Sequence, residues 1–185
     1  MSTTQQHWHQ KFHLVIAAAR PRRVLEIGTL QSVPGQSTHS RAWFPDVERS
    51  DYVLADIAAG ADVDVVVDIH ELPREWTARF DAFVALAVWE HLARPWIAAQ
   101  EVGRILAPGG ICYVETHQTF PLHGYPSDYF RFSREALALI FTDAGLKVVE
   151  VGYHSPAKII APPEVVPWSE DAPSWLNVAL IGRKR

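Results

Sequence analysis

Arg23-Val24-Leu25-Glu26-Ile27-Gly28, continued by Thr29-Leu30-Gln31-Ser32-Val33-Pro34-Gly35, is the stretch that decides how this 185-residue chain is read. Val24, Leu25 and Ile27 form a short apolar run between Pro21 and Gly28, too brief for a helix and suited to a buried strand over residues 23–27. Gly28 is the exit from that strand. Residues 29–38, broken by Pro34 and Gly35, read as a polar loop. Glu26 is a carboxylate near the end of a buried strand, two residues before Gly28, a placement that favours ligand contact over helix capping.

Upstream, Trp8, Phe12, Val15, Ile16 and Ala19 fall at helical spacing over residues 5–20, and Pro21 ends that helix. Downstream, a short helix is expected around residues 37–44. Strands follow at 52–55, closed by Asp56, at 63–67, closed by Asp68, and at 81–88. Residues 94–106 predict a helix turning Trp96, Ile97, Val102, Ile105 and Leu106 toward a sheet, and Pro108-Gly109-Gly110 turns the chain into a strand at 111–116. Ser133 caps a further helix, with Leu137, Ile140, Phe141 and Ala144 on one face and Gly145 at its end. Strands at 146–153 and 176–181 finish the chain, joined by a Pro- and Trp-rich connection spanning 154–174. Alternating strands and helices predict an α/β fold. The expected form is a doubly wound, mostly parallel seven-stranded sheet with helices on both faces and an antiparallel C-terminal hairpin. Residues 1–185 read as a single domain.

Composition narrows the function classes. Hydrophobic residues make up 48% and charged residues 21%, and the formal charge is −4 with no long basic run, so no nucleic-acid partner is expected. Cys112, the single cysteine, lies in an apolar run and reads as a structural thiol. No apolar stretch reaches the ~18 residues of a membrane span and no signal-peptide pattern opens the chain, which predicts no membrane partner and a cytoplasmic location. His9 and His13 stand one helical turn apart, but no cysteine or carboxylate cluster completes a set there. No metal is expected, either there or at His117 and His123. The seven Trp and thirteen Pro residues suggest ordered connections able to wall a pocket.

In an open parallel sheet, ligands bind beyond the carboxyl ends of the strands. That rule selects Glu26 to Thr29, Asp56 with Ile57, Asp68 with Ile69, residues 87–91, and Glu115-Thr116-His117. Five segments in order across residues 22–116 then resemble the class I S-adenosylmethionine-dependent methyltransferases. They are Val24-Leu25-Glu26-Ile27-Gly28, Val53-Leu54-Ala55-Asp56, Asp68-Ile69-His70-Glu71-Leu72-Pro73, Phe80-Asp81-Ala82-Phe83 through Trp89-Glu90-His91-Leu92, and Leu106-Ala107-Pro108-Gly109-Gly110. The resemblance implies a Rossmann-like fold and S-adenosyl-L-methionine as cofactor. It implies that Glu26 and Gly28 lie by the methionine moiety and that Asp56, followed by Ile57, meets the ribose. By the same resemblance, Asp68 and the Ile69 backbone meet the adenine edge with Leu72 near it, and Ala87 with Trp89 to His91 closes over the methionine end. Asp56 and Asp68 also have a plainer reading as turn formers, and His91 as a packing residue. The loop after Gly28 departs from the family's glycine-rich form, so Thr29, Gln36, Ser37 or Thr38 are expected to substitute in holding the cofactor's carboxylate. The missing G-x-G-x-x-G argues against a nicotinamide enzyme.

Residues 117–133 resemble the loop after the fifth strand in small bacterial methyltransferase-domain proteins, and their position puts them over the acceptor. Methyl transfer needs a base only when the acceptor must lose a proton. His117 is the first candidate, followed by His123, Tyr125, Asp128 and Tyr129. Arg131 either grips an acidic acceptor or pairs with Asp128 to pin the loop. The expected function is in-line transfer of a methyl group to O or N of a small-molecule acceptor, by a monomer or homodimer. The alternatives are cleavage or cyclisation of S-adenosylmethionine, and a non-catalytic binding module working through residues 162–175.

Overall fold

The computed structural model describes residues 3–124, 126–160, 162, 164 and 172–185. Seven strands make one sheet: β1 (Val24–Ile27), β2 (Tyr52–Asp56), β3 (Val65–Val66), β4 (Phe80–Leu86), β5 (Leu106–His117), β6 (Leu146–Ala157) and β7 (Ser174–Lys184). Their order is β3-β2-β1-β4-β5-β7-β6. β1 to β5 pair in parallel, and β7 runs antiparallel between β5 and β6. This is the expected Rossmann-like α/β sheet with its C-terminal hairpin. β6 is itself parallel to the first five strands, so β7 alone is reversed.

Side-chain alternation along the strands builds two cores. On one face, α1 (Thr3–Ala19) lays Trp8 and Phe12 over Val24, Leu54, Val84 and Tyr113. On the other, α2 (Pro95–Ile105) and α3 (Arg134–Asp143) cover Leu25, Phe83, Cys112 and Leu180 with Val102, Ile105, Leu137 and Phe141. Pro95 opens α2, where a missing N–H costs nothing. Ser133 caps α3 by accepting from the Ala136 amide at 3.1 Å, and Gly145 follows the helix at φ +81°. Burial pushes the Cys112 thiol up to about 12, which suits a structural thiol.

Four local expectations change. The helix expected at 37–44 is a single 3-10 turn, Arg41–Trp43, because the loop before it is held by side chains. Trp96 is exposed rather than turned to the sheet; Ala98 and Ala99 take the buried stripe of α2 instead. β5 starts at Leu106 and bulges through Pro108 and the two glycines before resuming its pairing at Ile111. β6 and β7 are both longer than expected and pair as far as Ala157 with Ser174, so the connection spans only 158–173, much of it outside the described residues. Among the described residues, no helix is long and apolar enough to cross a membrane.

Candidate active site

The strand order reverses between β1 and β4, and the carboxyl ends of these two strands open side by side. Gly28 leaves β1 at φ +87°, and a Cβ there would come within 2.3 Å of Val88 Cγ2. Only glycine meets both conditions. Ala87 leaves β4 at φ +53° with its amide donating to the Glu115 carbonyl at 2.9 Å. Both residues are exposed, so two adjacent strand ends present bare backbone to a ligand.

The carboxylates at the strand ends have distinct duties. Glu26 is buried: the Ser40 amide donates to its two oxygens at 2.8 and 2.9 Å, and the Tyr52 hydroxyl donates at 2.5 Å. Burial raises its carboxyl, against the lowering effect of those donors. Glu26 therefore ties β1 to the far end of the long loop. Asp62 holds the middle of that loop. Its carbonyl accepts from Thr29 Oγ1 at 2.7 Å, and its carboxylate from Gln31 Nε2 at 2.8 Å and Ser37 Oγ at 2.6 Å. A polar hub thus replaces the glycine-rich turn, and it engages Thr29 and Ser37, two of the residues expected to hold a cofactor carboxylate. Gln36 and Thr38 are exposed.

Asp56 accepts from the Leu30 amide at 3.0 Å and the Ala58 amide at 3.2 Å, and Ile57 beside it is exposed. Asp68 accepts from the His70 amide at 2.9 Å and imidazole at 2.6 Å. Partial burial acts to raise the Asp68 carboxyl, and those His70 contacts override it. The side chains of Ile69 and Leu72 belong to the core, which leaves the Ile69 backbone for any ligand. Trp89 corrects the sequence reading. Its ring is fully buried, 6.1 Å from Phe83 and 5.2 Å from Phe141 between centroids, and packs beneath the site rather than walling it.

The residue between Trp89 and His91 has no role of its own in the sequence reading beyond its place in that stretch. Glu90 is fully buried in a 3-10 turn, Trp89–His91, at the end of β4. Its Oε2 accepts from Thr116 Oγ1 at 2.6 Å. Its Oε1 lies 3.1 Å from His117 Nε2, 3.8 Å from His91 Nε2 and 3.9 Å from His123 Nε2, yet has no hydrogen-bond partner among the described residues. His117 ends β5, stacks on Phe120 at 4.0 Å and contacts Asn177 Oδ1 through Nδ1 at 2.8 Å. Burial lowers the His117 imidazole, partly offset by the Glu90 carboxylate. Glu90 and Thr116 each followed a strand end in sequence. Their pairing, and Asn177 on β7, were visible only in the fold.

The loop after β5 is a built unit. Asp128 takes a bidentate pair from Arg131 at 2.5 and 2.7 Å and accepts from the His123 amide at 2.9 Å. Arg131 also donates to the carbonyls of Phe120 and Pro121. The plainer of its two readings is therefore what the structure shows: Asp128 and Arg131 pin the loop. The Tyr129 and Phe130 amides donate to the Glu90 carbonyl, fastening the loop over that residue, while the Tyr129 ring is exposed. Tyr125 lies outside the described residues. On the opposite face, His9 and His154 approach the Glu115 carboxylate at 3.8 and 3.3 Å, and His9 and His13 both pack against the Trp43 ring, at 4.6 and 6.0 Å between centroids.

Residues 3–151 match the methyltransferase-domain family. The chain belongs to that family. It is 27% identical over 120 residues to a ubiquinone biosynthesis O-methyltransferase of Pseudoalteromonas translucida, an alignment covering 64% of this chain and 46% of that protein. The chain thus spans less than half the length of the curated relatives it matches. In fold it is similar to an S-adenosylmethionine-dependent methyltransferase of Mesorhizobium loti (TM-score 0.61, 14% identity, 92% of this chain and 96% of the other). It is likewise similar to the 1,6-didemethyltoxoflavin N1-methyltransferase of Burkholderia thailandensis, solved with S-adenosylhomocysteine (TM-score 0.61, 14% identity, 95% and 77%). The cofactor of this methyltransferase domain is S-adenosylmethionine. The exposed backbone of Gly28, where a Cβ would collide with Val88, and the carboxylate of Asp56 beside exposed Ile57 fit that group.

Proposed function

We propose that the protein transfers the methyl group of S-adenosylmethionine to an oxygen or nitrogen of a small-molecule acceptor. The observation that carries this reading is the cluster of Glu90, His117 and His123 at the ends of β4 and β5, beside the bare backbone of Gly28 and Ala87. Bound at that edge, the cofactor supplies a methyl group already activated on a sulfonium. The chain's work is to align the acceptor, exclude water and deal with the acceptor's proton. The loop fastened over Glu90 provides the enclosure. An acceptor lone pair forms the new bond to the methyl carbon, and the carbon–sulfur bond breaks with its electrons remaining on sulfur. The proton of a hydroxyl or ammonium acceptor leaves through the imidazole–carboxylate cluster. In this reading Asp56 receives the ribose hydroxyls, Asp68 and the Ile69 backbone the adenine, and the Gly28 and Ala87 backbone the methionine end. Glu26, Thr29, Asp128 and Arg131 shape the walls, and His91 stands behind the cluster.

The test is calorimetry with S-adenosylmethionine and S-adenosylhomocysteine, followed by a screen of hydroxylated and aminated small molecules for methylated product. Binding of both, about tenfold weaker in Asp56→Ala, together with a methylated product, supports the reading. Methylthioadenosine released without any acceptor would identify a lyase instead, and no binding of either nucleoside would leave only a non-catalytic module.

A further inference from the structure

We infer that Glu90, His117 and His123 hold one divalent transition-metal ion, a role that the sequence reading assigned to none of them. One ligand atom from each of the three residues lies within 4.8 Å of the others, and Glu90 Oε1 stands 3.1 Å from His117 Nε2 and 3.9 Å from His123 Nε2. They come from three separate places: the turn after β4, the last residue of β5 and the pinned loop beyond it.

The way the rings are turned carries the inference. The His123 Nδ1 faces only acceptors, the Pro121 carbonyl at 3.2 Å and the Asp128 carboxylate at 3.4 Å, so Nδ1 carries the hydrogen. The His91 Nδ1 meets the Ser127 carbonyl at 2.6 Å and must likewise donate. The His117 Nδ1 faces Asn177 Oδ1 at 2.8 Å, an acceptor again. In a neutral imidazole with its hydrogen on Nδ1, Nε2 is a bare lone pair. Three imidazole Nε2 atoms therefore converge on a carboxylate oxygen that is itself fully buried and without a hydrogen-bond partner among the described residues. A buried carboxylate oxygen without a hydrogen-bond partner is costly. A cation satisfies all of them at once.

The surroundings match what ligating histidines need. An oxygen on the far nitrogen fixes the tautomer and aims the ring, and Asn177, Asp128 and the Pro121 carbonyl provide it here. Thr116 does the same for the carboxylate through Oε2, leaving Oε1 to bind. Two imidazoles and a carboxylate suit zinc, iron or cobalt, with bonds of about 2.0–2.2 Å. The gathering of ligand atoms to that distance falls to His123, the one ligand carried on a loop. Three protein ligands leave a position open, as catalytic sites do. This inference rests on the proposed methyl transfer and specifies it. An ion in that position lowers the pKa of an acceptor hydroxyl placed there, so the hydroxyl proton is lost to solvent and the oxygen is ready to accept the methyl group. His117 then serves as ligand rather than as free base.

The experiment titrates the chelator-stripped protein with Co2+ and with Zn2+, reading stoichiometry by elemental analysis and the Co2+ visible spectrum, and measures S-adenosylhomocysteine binding in parallel. One ion per chain is expected, with a visible Co2+ band. Affinity should fall tenfold or more in His123→Gln, a loop substitution that leaves the sheet intact, and also in His117→Ala. No ion bound, or binding unchanged in both variants, overturns the inference. Binding of the ion without any binding of S-adenosylhomocysteine supports the metal site and overturns the methyltransferase reading. Full methyl transfer by stripped protein does the reverse.

Discussion

Glu90 and Glu115 are two buried carboxylates near the same strand ends, each ringed by histidines, and they are built for opposite purposes. Adjacent residues of a strand point to opposite faces. Glu115 serves the α1 side, and its neighbour Thr116 binds Glu90 on the other. Around Glu115 donors abound. The Tyr113 hydroxyl gives a hydrogen bond at 2.9 Å, Gln5 Nε2 lies at 3.4 Å from the other oxygen, and His154 and His9 stand at 3.3 and 3.8 Å. Burial alone would raise Glu115, but His154, His9 and Tyr113 together bring it down to about 2. Around Glu90 the imidazoles turn Nδ1 outward to Asn177, the Ser127 carbonyl and the Pro121 carbonyl, and one carboxylate oxygen is left without a hydrogen-bond partner among the described residues. A saturated carboxylate joins α1 and β6 to β5; an unsaturated one waits for a ligand.

The contrast breaks most easily at Glu90. Glu90→Gln keeps the volume and the Thr116 contact, and methyl transfer should fall by about 10²-fold or more, with S-adenosylhomocysteine affinity within about twofold of wild type. Equal activity in that variant would place Glu90 among structural groups. Glu115→Ala should do the opposite. Removing one partner of a buried ion pair costs on the order of 3 kcal/mol, or roughly 6–12 °C in Tm for a domain of this size, while turnover per folded molecule is retained.

The pH dependence of stability sharpens the same difference. Glu115 titrates below its ordinary value of 4.5 in the folded protein, at about 2. Its contribution is therefore complete above pH 4.5 and is lost as the pH falls toward 2. Thermal melts across that window should show a steep acid slope that flattens in Glu115→Gln. The smallest expected effect concerns a third buried group of β5. Cys112, pushed up to about 12, should resist a thiol reagent at pH 8 in the native protein and react once denaturant is added.

Much of this fold was legible because it is written in local chemistry. Val24 to Gly28 announced a buried strand and its exit, and Ser133 and Gly145 marked both ends of α3 with residues whose backbone roles are specific. The strand-end rule also put Gly28, Asp56, Asp68 and Ala87 at or just beyond the carboxyl ends of the parallel strands, which is where the fold has them. What escaped depends on contacts distant in sequence. Glu90 lies 26 residues from Thr116, and nothing in either segment names the other. The partners of Glu26 within the protein, Ser40 and Tyr52, arrive from the end of a long loop and from the next strand, so its tie between them was not readable from the segment that carries it. Trp89 stood in the right segment, but the turn that carries it sends its ring inward to Phe141. Trp96 looked apolar enough for the core, whereas the close approach of α2 to the sheet favours the small Ala98 and Ala99.

The most direct test is a crystal structure with S-adenosylhomocysteine bound. The account predicts the ribose on Asp56, the methionine moiety along Gly28 and Ala87, and the sulfur facing the space bounded by Glu90, His117 and His123. A sulfur directed away from that cluster, with the cluster sealed from the ligand by protein, would contradict it.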